Sequence, residues 1–314
     1  MSDNPFSDAF KPRRALGRTG FAATALGIGD LADRSVPLDE CVATARRAIE
    51  AGLNVIDTAP GYEAGYSEQI IGAAVRGCRD QMFVIDKIDD IHQPVAPQVE
   101  ASLRTLGLDV VDLFLFHGVS RPEDWSRLAA DGGGMAQLGE CISQGKCRFR
   151  GISSHHPAVL REAINSGLCD VVMFAVGPFA DRRYADKILP LAGRKGVGTV
   201  CFKAFGAGKL VCDTTGYGQP LQQRPRGKIS SGGPECAAGT GPLLPHLSIG
   251  DCVHYTLTCD PDVALLGLSF PNEQDAAFTA ALDFTPLAAA EMVNIRARAS
   301  EAVRDKGPCW WNPP

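Results

Sequence analysis

The run Gly52-Leu53-Asn54-Val55-Ile56-Asp57-Thr58-Ala59-Pro60-Gly61-Tyr62 holds three signals in one stretch. Gly52 stops a helical pattern, Asn54-Val55-Ile56-Asp57 is a short apolar strand ending on a carboxylate, and Pro60 and Gly61 turn the chain so that Tyr62 comes back over the strand end. Upstream, Leu38, Cys41, Val42, Ala45, Ala48 and Ile49 recur on one helical face that begins near Pro37. Helix followed by short buried strand is a βα rhythm, and it continues. Strands are expected at 24–27, 54–57, 82–86, 111–116, 147–152, 170–175, 198–202 and 263–267, with helices between them at 67–76, 95–106, 135–144, 157–166, 184–194, 249–258 and 272–281. Eight nearly all-apolar strands in alternation with helices predict a closed parallel (β/α)8 TIM barrel in the α/β class, rather than an open doubly wound sheet.

The 314 residues fit one such barrel domain, 1–314. Residues 1–14 are polar and broken by Pro5 and Pro12, which predicts a flexible N-terminus, and Ala15 to Phe21 reads as an N-terminal hairpin. After the seventh strand comes a long loop, 207–247, rich in Gly, Pro and Ser, which reads as a lid over the barrel mouth or as a segment without fixed structure. A C-terminal extra helix is expected at 287–304.

A formal net charge of −5 offers no general attraction to phosphate backbones or anionic lipid, so nucleic acid and membrane surfaces are not expected partners. The N-terminal segment has no apolar core of a signal peptide, and a cytoplasmic location is expected. The eleven cysteines are odd in number and never spaced Cys-x-x-Cys, which favours reduced thiols over disulfides or zinc. Asp86-Lys87-Ile88-Asp89-Asp90-Ile91-His92 has no recognisable metal-loop spacing, and no metal is expected. Oligomeric state has no signature in the sequence.

Asp57, Lys87 and His117 end three consecutive strands, where barrels keep their chemistry. Neighbouring strands lie ~4.8 Å apart, so Lys87 is expected between Asp57 and His117. Each residue alone has an ordinary structural reading as a loop cap, a solvated lysine or a half-buried ring. A carboxylate, a phenol, an ammonium and an imidazole converging on one barrel mouth is a candidate site.

The quoted run, with Ser67-Glu68-Gln69-Ile70-Ile71-Gly72 after it, resembles the signature of the aldo-keto reductases. The Lys87 strand, Val111 to His117, Gly145 to Ser153 and Phe205 to Leu210 extend the resemblance from about Leu16 to Leu287. It implies hydride transfer between NADP(H) or NAD(H) and a small carbonyl or alcohol substrate, with Tyr62 as general acid or base. Lys87 would lower the phenol pKa from its usual ~10, Asp57 would hold Lys87, and His117 would hydrogen-bond the substrate oxygen. It further implies a coenzyme lying across the later βα loops. Ser153 and Ser154 would bind its carboxamide, Lys203, Phe205, Gly206, Gly208, Lys209 and Leu210 would line the pyrophosphate path, and Ser269, Asn272 and Asp275 would hold the adenosine end.

The chain departs from the family at Ser154, Met173 and Lys203, and carries Glu273 and Asp275 where a Lys or Arg usually grips a 2′-phosphate. The coenzyme therefore stays open between the two. Two other readings of the same barrel are a nicotinamide-binding regulatory or sensor protein with little turnover, and Schiff-base chemistry on Lys87.

Overall fold

The computed structural model describes residues 4–29, 34–212, 245–267, 270–309 and 311–313. A two-stranded antiparallel hairpin, β1 (Arg14–Ala15) and β2 (Ala22–Ala23), precedes eight parallel strands. These are β3 (Leu26–Ile28), β4 (Val55–Asp57), β5 (Phe83–Ile88), β6 (Val111–Phe116), β7 (Cys147–Ser153), β8 (Val171–Ala175), β9 (Gly198–Phe202) and β10 (Val263–Leu266). They pair in chain order, and β10 closes the circle by pairing with both β9 and β3. The (β/α)8 barrel read from the sequence is the fold.

Around the barrel run α1 (Leu38–Glu50), α2 (Tyr66–Ala74), α3 (Val95–Leu106), α4 (Pro122–Ala129), α5 (Gly134–Ser143), α6 (Pro157–Ser166), α7 (Leu189–Lys195), α8 (Ile249–Thr258), α9 (Pro271–Leu282) and α10 (Ala289–Ala302). Helix α4 is absent from the sequence reading. It is short and buries only Trp125 and Leu128 among its apolar residues, too few for a periodic signal, although Pro122 at its first turn with Glu123 and Asp124 marks a helix start. The helix expected at 184–194 begins as a widened π turn, Tyr184–Ile188, before α7.

All six residues of β5 and of β6 are buried, because one face meets the barrel interior and the other the helices. Inside, Val55, Phe83, Ile85, Leu113 and Leu115 form a core sealed from below by Leu16 and Ala23 of the hairpin. Ile56, Val84 and Phe114 belong to the outer core against the helices. Side chains alternate along a strand, so Asp57, Lys87 and His117 continue the inward series above Val55, Ile85 and Leu115. Gly151 is required where β7 meets β8, since a Cβ there would stand 1.9 Å from the Val171 carbonyl oxygen.

Part of the segment expected to be a flexible N-terminus, residues 4–14, makes contacts with the barrel. Asp8 and Phe10 donate backbone N–H groups to the Glu50 and Ala51 carbonyls, both at 2.8 Å. Phe6 and Phe10 set their rings edge-on to Phe278, burying aromatic area that composition alone does not reveal in a polar segment. The lid expected within 207–247 lies, for 213–244, outside the described residues.

Where the described chain resumes, two buried lysines hold the C-terminal tail. Lys306 donates to the carbonyls of Lys209 at 2.9 Å, Cys212 at 2.8 Å and Pro245 at 3.1 Å, so one ammonium gathers both ends of the long loop. Lys209 donates in return to the carbonyls of Lys306 at 2.6 Å and Pro308 at 2.8 Å. Trp311, fully buried, donates its indole N–H to the Phe179 carbonyl at 3.3 Å. Charged hydrogen bonds contribute about 1.5–3 kcal/mol each, and their loss leaves carbonyls unpaired. Lys306→Met is expected to lower the thermal midpoint by about 5 °C or more, measured by calorimetry.

Candidate active site

Each of the four candidate residues owes its position to the strand before it. Asp57 pairs with Ile85 across β4 and β5, so Lys87 lies two residues further along, about 6.6 Å higher at the usual strand rise. From there its ammonium reaches back to Asp57 Oδ1 at 2.7 Å and to the Thr58 carbonyl at 2.6 Å. Both side chains are almost fully buried. Lys87 Nζ stands 4.6 Å from the centroid of the Tyr62 ring, and that ring meets His117 edge-on at 5.6 Å. The structure brings together all four residues the sequence singled out.

Two details differ from expectation. Strand β5 runs on to Ile88, so Lys87 lies within the strand rather than after it. Lys87 does not bridge Asp57 and His117; the His117 ring instead meets Asp89, Nδ1 to Oδ1 at 2.6 Å. Asp89 also accepts the Gly61 N–H at 2.7 Å. Sequence reasoning missed Asp89, and the signal was its inward phase two residues after Lys87. Burial works to raise the Asp89 pKa, but the hydrogen bond and charge of His117 and the Gly61 N–H together leave it below the usual range.

The loop carrying Tyr62 is fixed at several points. Tyr62 donates its N–H to the Ala59 carbonyl at 3.1 Å, and Thr58 donates its hydroxyl to Ser67 Oγ at 2.8 Å. Glu63 and Ala64, at φ 50° and 51°, sit in the left-handed region that favours glycine, a strain typical of loops at working sites.

Outside the barrel wall, Asp86 and Glu68 form a second acidic pair. Asp86 Oδ1 accepts the Lys87 N–H at 2.8 Å. The two carboxyl groups lie beside each other, with Ser102 next to Glu68, and the buried oxygens Asp86 Oδ2 and Glu68 Oε1 have no hydrogen-bond partner. Two carboxyls in such contact need a shared proton. Burial, then the neighbouring Glu68, pushes the Asp86 pKa well up.

The residues expected to hold a coenzyme occupy varied surroundings. Ser153 Oγ accepts the Gly118 N–H at 2.8 Å, supporting the turn after His117, and Ser154 Oγ accepts the His156 N–H at 3.0 Å. Between them and Lys203 sits His155, whose pKa falls to about 3 through burial and the nearby charges of Lys203 and His117. Lys203, Gly206, Ala207 and Gly208 all have positive φ, so the backbone of 203–208 is coiled tightly around Phe205 and Leu210. The Lys209 ammonium is held by the tail, as described above. Asn272 opens α9, Asp275 is ion-paired with Arg47, and Ser269 lies outside the described residues. Among the described residues there is no group of three or more His, Cys, Asp or Glu that would hold a metal, and no helix long and apolar enough to cross a membrane.

A family model described as the aldo/keto reductase family matches residues 23–244, more than half of the chain. The chain belongs to the aldo/keto reductase family. This family member is 28% identical over 217 residues to the NADH-specific methylglyoxal reductase of Escherichia coli, a match covering 62% of the chain and 65% of that protein. It is 36% identical over 124 residues to methylglyoxal reductase YeaE of Escherichia coli, covering 38% and 41%. The chain thus spans less than two thirds of the length of these curated relatives. In shape, the family member matches the holo form of an aldo-keto reductase from Bacillus halodurans with a TM-score of 0.67 at 24% identity, over 93% and 97% of the two chains. It matches a Klebsiella pneumoniae aldo-keto reductase, solved in complex with NADPH, with a TM-score of 0.67 at 19% identity, over 91% and 95%.

The shared proton has a sign in stability. A carboxyl whose folded pKa is raised binds its proton more tightly when folded, so its contribution is complete below the unfolded value of about 4 and declines as pH rises through the folded value. Asp86→Asn supplies an amide donor that does not titrate. The variant is expected to gain stability relative to the parent chain as pH is raised from about 4, followed by urea denaturation at several pH values; a pH-independent difference would sink the shared-proton assignment.

Proposed function

We propose that this chain is an NAD(P)H-dependent oxidoreductase that reduces an aldehyde or ketone to an alcohol, or runs the reverse, with Tyr62 as general acid and base. The observation that carries the reading is the buried Lys87 ammonium, paired with Asp57 and set against the face of the Tyr62 ring. A cation there favours the phenolate, so Tyr62 gives up a proton to a developing alkoxide more readily than a phenol in water would. Asp57 holds and aims the Lys87 ammonium, and that pairing also argues against Schiff-base chemistry on the lysine. His117 steers the substrate oxygen towards Tyr62.

The site suits a dinucleotide. Gly206 has Leu210 Cγ 2.9 Å from where a Cβ would stand, and the positive φ of Lys203, Gly206, Ala207 and Gly208 gives this segment the kind of backbone turn that can cradle a phosphate. We assign the pyrophosphate path to Lys203, Phe205, Gly206, Gly208, Lys209 and Leu210, with Lys209 contributing backbone because its ammonium serves the tail. Ser153 and Ser154 would meet the carboxamide; the Ser153 hydroxyl, which accepts from the Gly118 N–H, keeps a proton to donate, while that of Ser154 is directed at the His156 carbonyl at 3.5 Å. Ser269, Asn272 and Asp275 would flank the adenosine. When bound, the reduced nicotinamide supplies the hydride.

Methylglyoxal, named in the two Escherichia coli relatives, is the first substrate to test. Titration with NADPH and with NADH, read by intrinsic fluorescence, is expected to give saturable binding. Tyr62→Phe is expected to lower kcat about 10²–10⁴-fold while coenzyme binding is kept. Binding without any turnover by the parent chain would favour the regulatory barrel, and no binding of either coenzyme would overturn the reading.

A further inference from the structure

Asp89 spans the two loops that carry the proposed chemistry. Its Oδ1 meets His117 Nδ1 at 2.6 Å, and its Oδ2 accepts the N–H of Gly61, the residue before Tyr62, at 2.7 Å. An ionised carboxylate only accepts hydrogen bonds, so Nδ1 carries a proton, and Nε2 is the ring nitrogen left for a substrate oxygen. Gly61 fits this contact closely: a Cβ there would stand 2.7 Å from Asp89 Oδ2.

We propose that Asp89 is a positioning residue for the carbonyl chemistry assigned above, fixing His117 as its Nδ1–H tautomer and holding the Tyr62 loop against the His117 loop. The inference rests on that functional reading and gives it a direction. With Nδ1–H pinned, a neutral His117 ring offers Nε2 as an acceptor, which suits the hydroxyl of an alcohol. The doubly protonated ring donates from Nε2, which suits a carbonyl oxygen. The ring therefore changes roles between reduction and oxidation without turning over, and Asp89 is the fixed partner in both.

The groups around the dyad agree with an ionised Asp89. Lys87 from β5 lowers its pKa along with His117 and Gly61. Glu68 from α2 feels the Asp89 charge, and the part-buried His155 after β7, packed edge-on against Phe202, has its pKa lowered mainly by desolvation, then by Lys203 and His117. Tyr62 packs edge-on against the imidazole.

The test uses the full chain labelled with ¹⁵N-histidine, above neutral pH, with His117 assigned by the signals lost in His117→Gln. Its tautomer is read from the ring nitrogen shifts, beside kcat and KM for methylglyoxal and the coenzyme Kd. The parent chain is expected to show Nδ1–H. Asp89→Ala is expected to move His117 towards Nε2–H and, by removing both the carboxylate that favours the doubly protonated ring and the tie to the Gly61 N–H, to lower kcat on the order of 10–100-fold with the coenzyme Kd kept. Asp89→Asn, which still offers an acceptor oxygen, restores the tautomer and part of kcat. Gly61→Ala pushes the carboxylate aside and shifts the tautomer in the same sense as Asp89→Ala. An Asp89→Ala protein with the parent tautomer and unchanged kcat overturns the proposal. If the parent chain binds coenzyme and turns over nothing, the functional reading fails on its own account, and the tautomers of the parent and Asp89→Ala still uphold or overturn the role of Asp89.

Discussion

An ammonium buried at the end of a barrel strand must be neutralised on the spot, and most of the site follows from how Lys87 meets that requirement. Stripping a charge of water costs several kcal/mol, recovered only when an opposite charge and further acceptors lie in good geometry. Asp57 and the Thr58 carbonyl supply both, and they do so because β4 and β5 are paired in the register that sets Asp57 beside Ile85. The ion pair therefore pins the start of the loop after β4 to the strand that carries the lysine. Tyr62, five residues on, inherits its place over Lys87 from that pin.

Further carboxylates around Lys87 act at different depths. Asp57 lies within the barrel, ion-paired with the lysine. Asp89, half exposed at the rim, is kept ionised by His117 and the Gly61 N–H despite partial burial. Asp86 faces outward into the helix layer, where burial and the neighbouring Glu68 push its pKa well up against the pull of Lys87. One strand, Phe83–Ile88, thus carries an acid with a raised pKa on its outer face beside an ammonium on its inner face. Strand alternation keeps the two apart.

The fold and the four central residues were legible in the sequence because they follow from local pattern. Short apolar runs ending on polar residues identify barrel strands and strand-end chemistry at once, and Val111–Phe116 was located to the residue. Asp89 was not legible, since its role depends on two loops from other strands converging on it. Phe6 and Phe10 likewise bury themselves against Phe278, distant in sequence, which no local window contains. The Lys209 and Lys306 cages escaped for the same reason: a lysine in a loop reads as a phosphate ligand until the carbonyls around it are known.

The acidic character of the segment opening α9 looked hostile to a 2′-phosphate, because Glu273 and Asp275 stand where a cation is usual in the family. In the fold, neither is an uncompensated charge facing outward. Glu273 is buried and accepts the Phe270 N–H at its own helix start, where the dipole favours a carboxylate, and Asp275 is paired with Arg47 of α1. The pairing brings a guanidinium to this corner, 17% exposed at its side chain, which also bonds Gln274. Asp275 and Arg47 form a balanced pair, so the count of acidic residues in this segment does not by itself set the local charge.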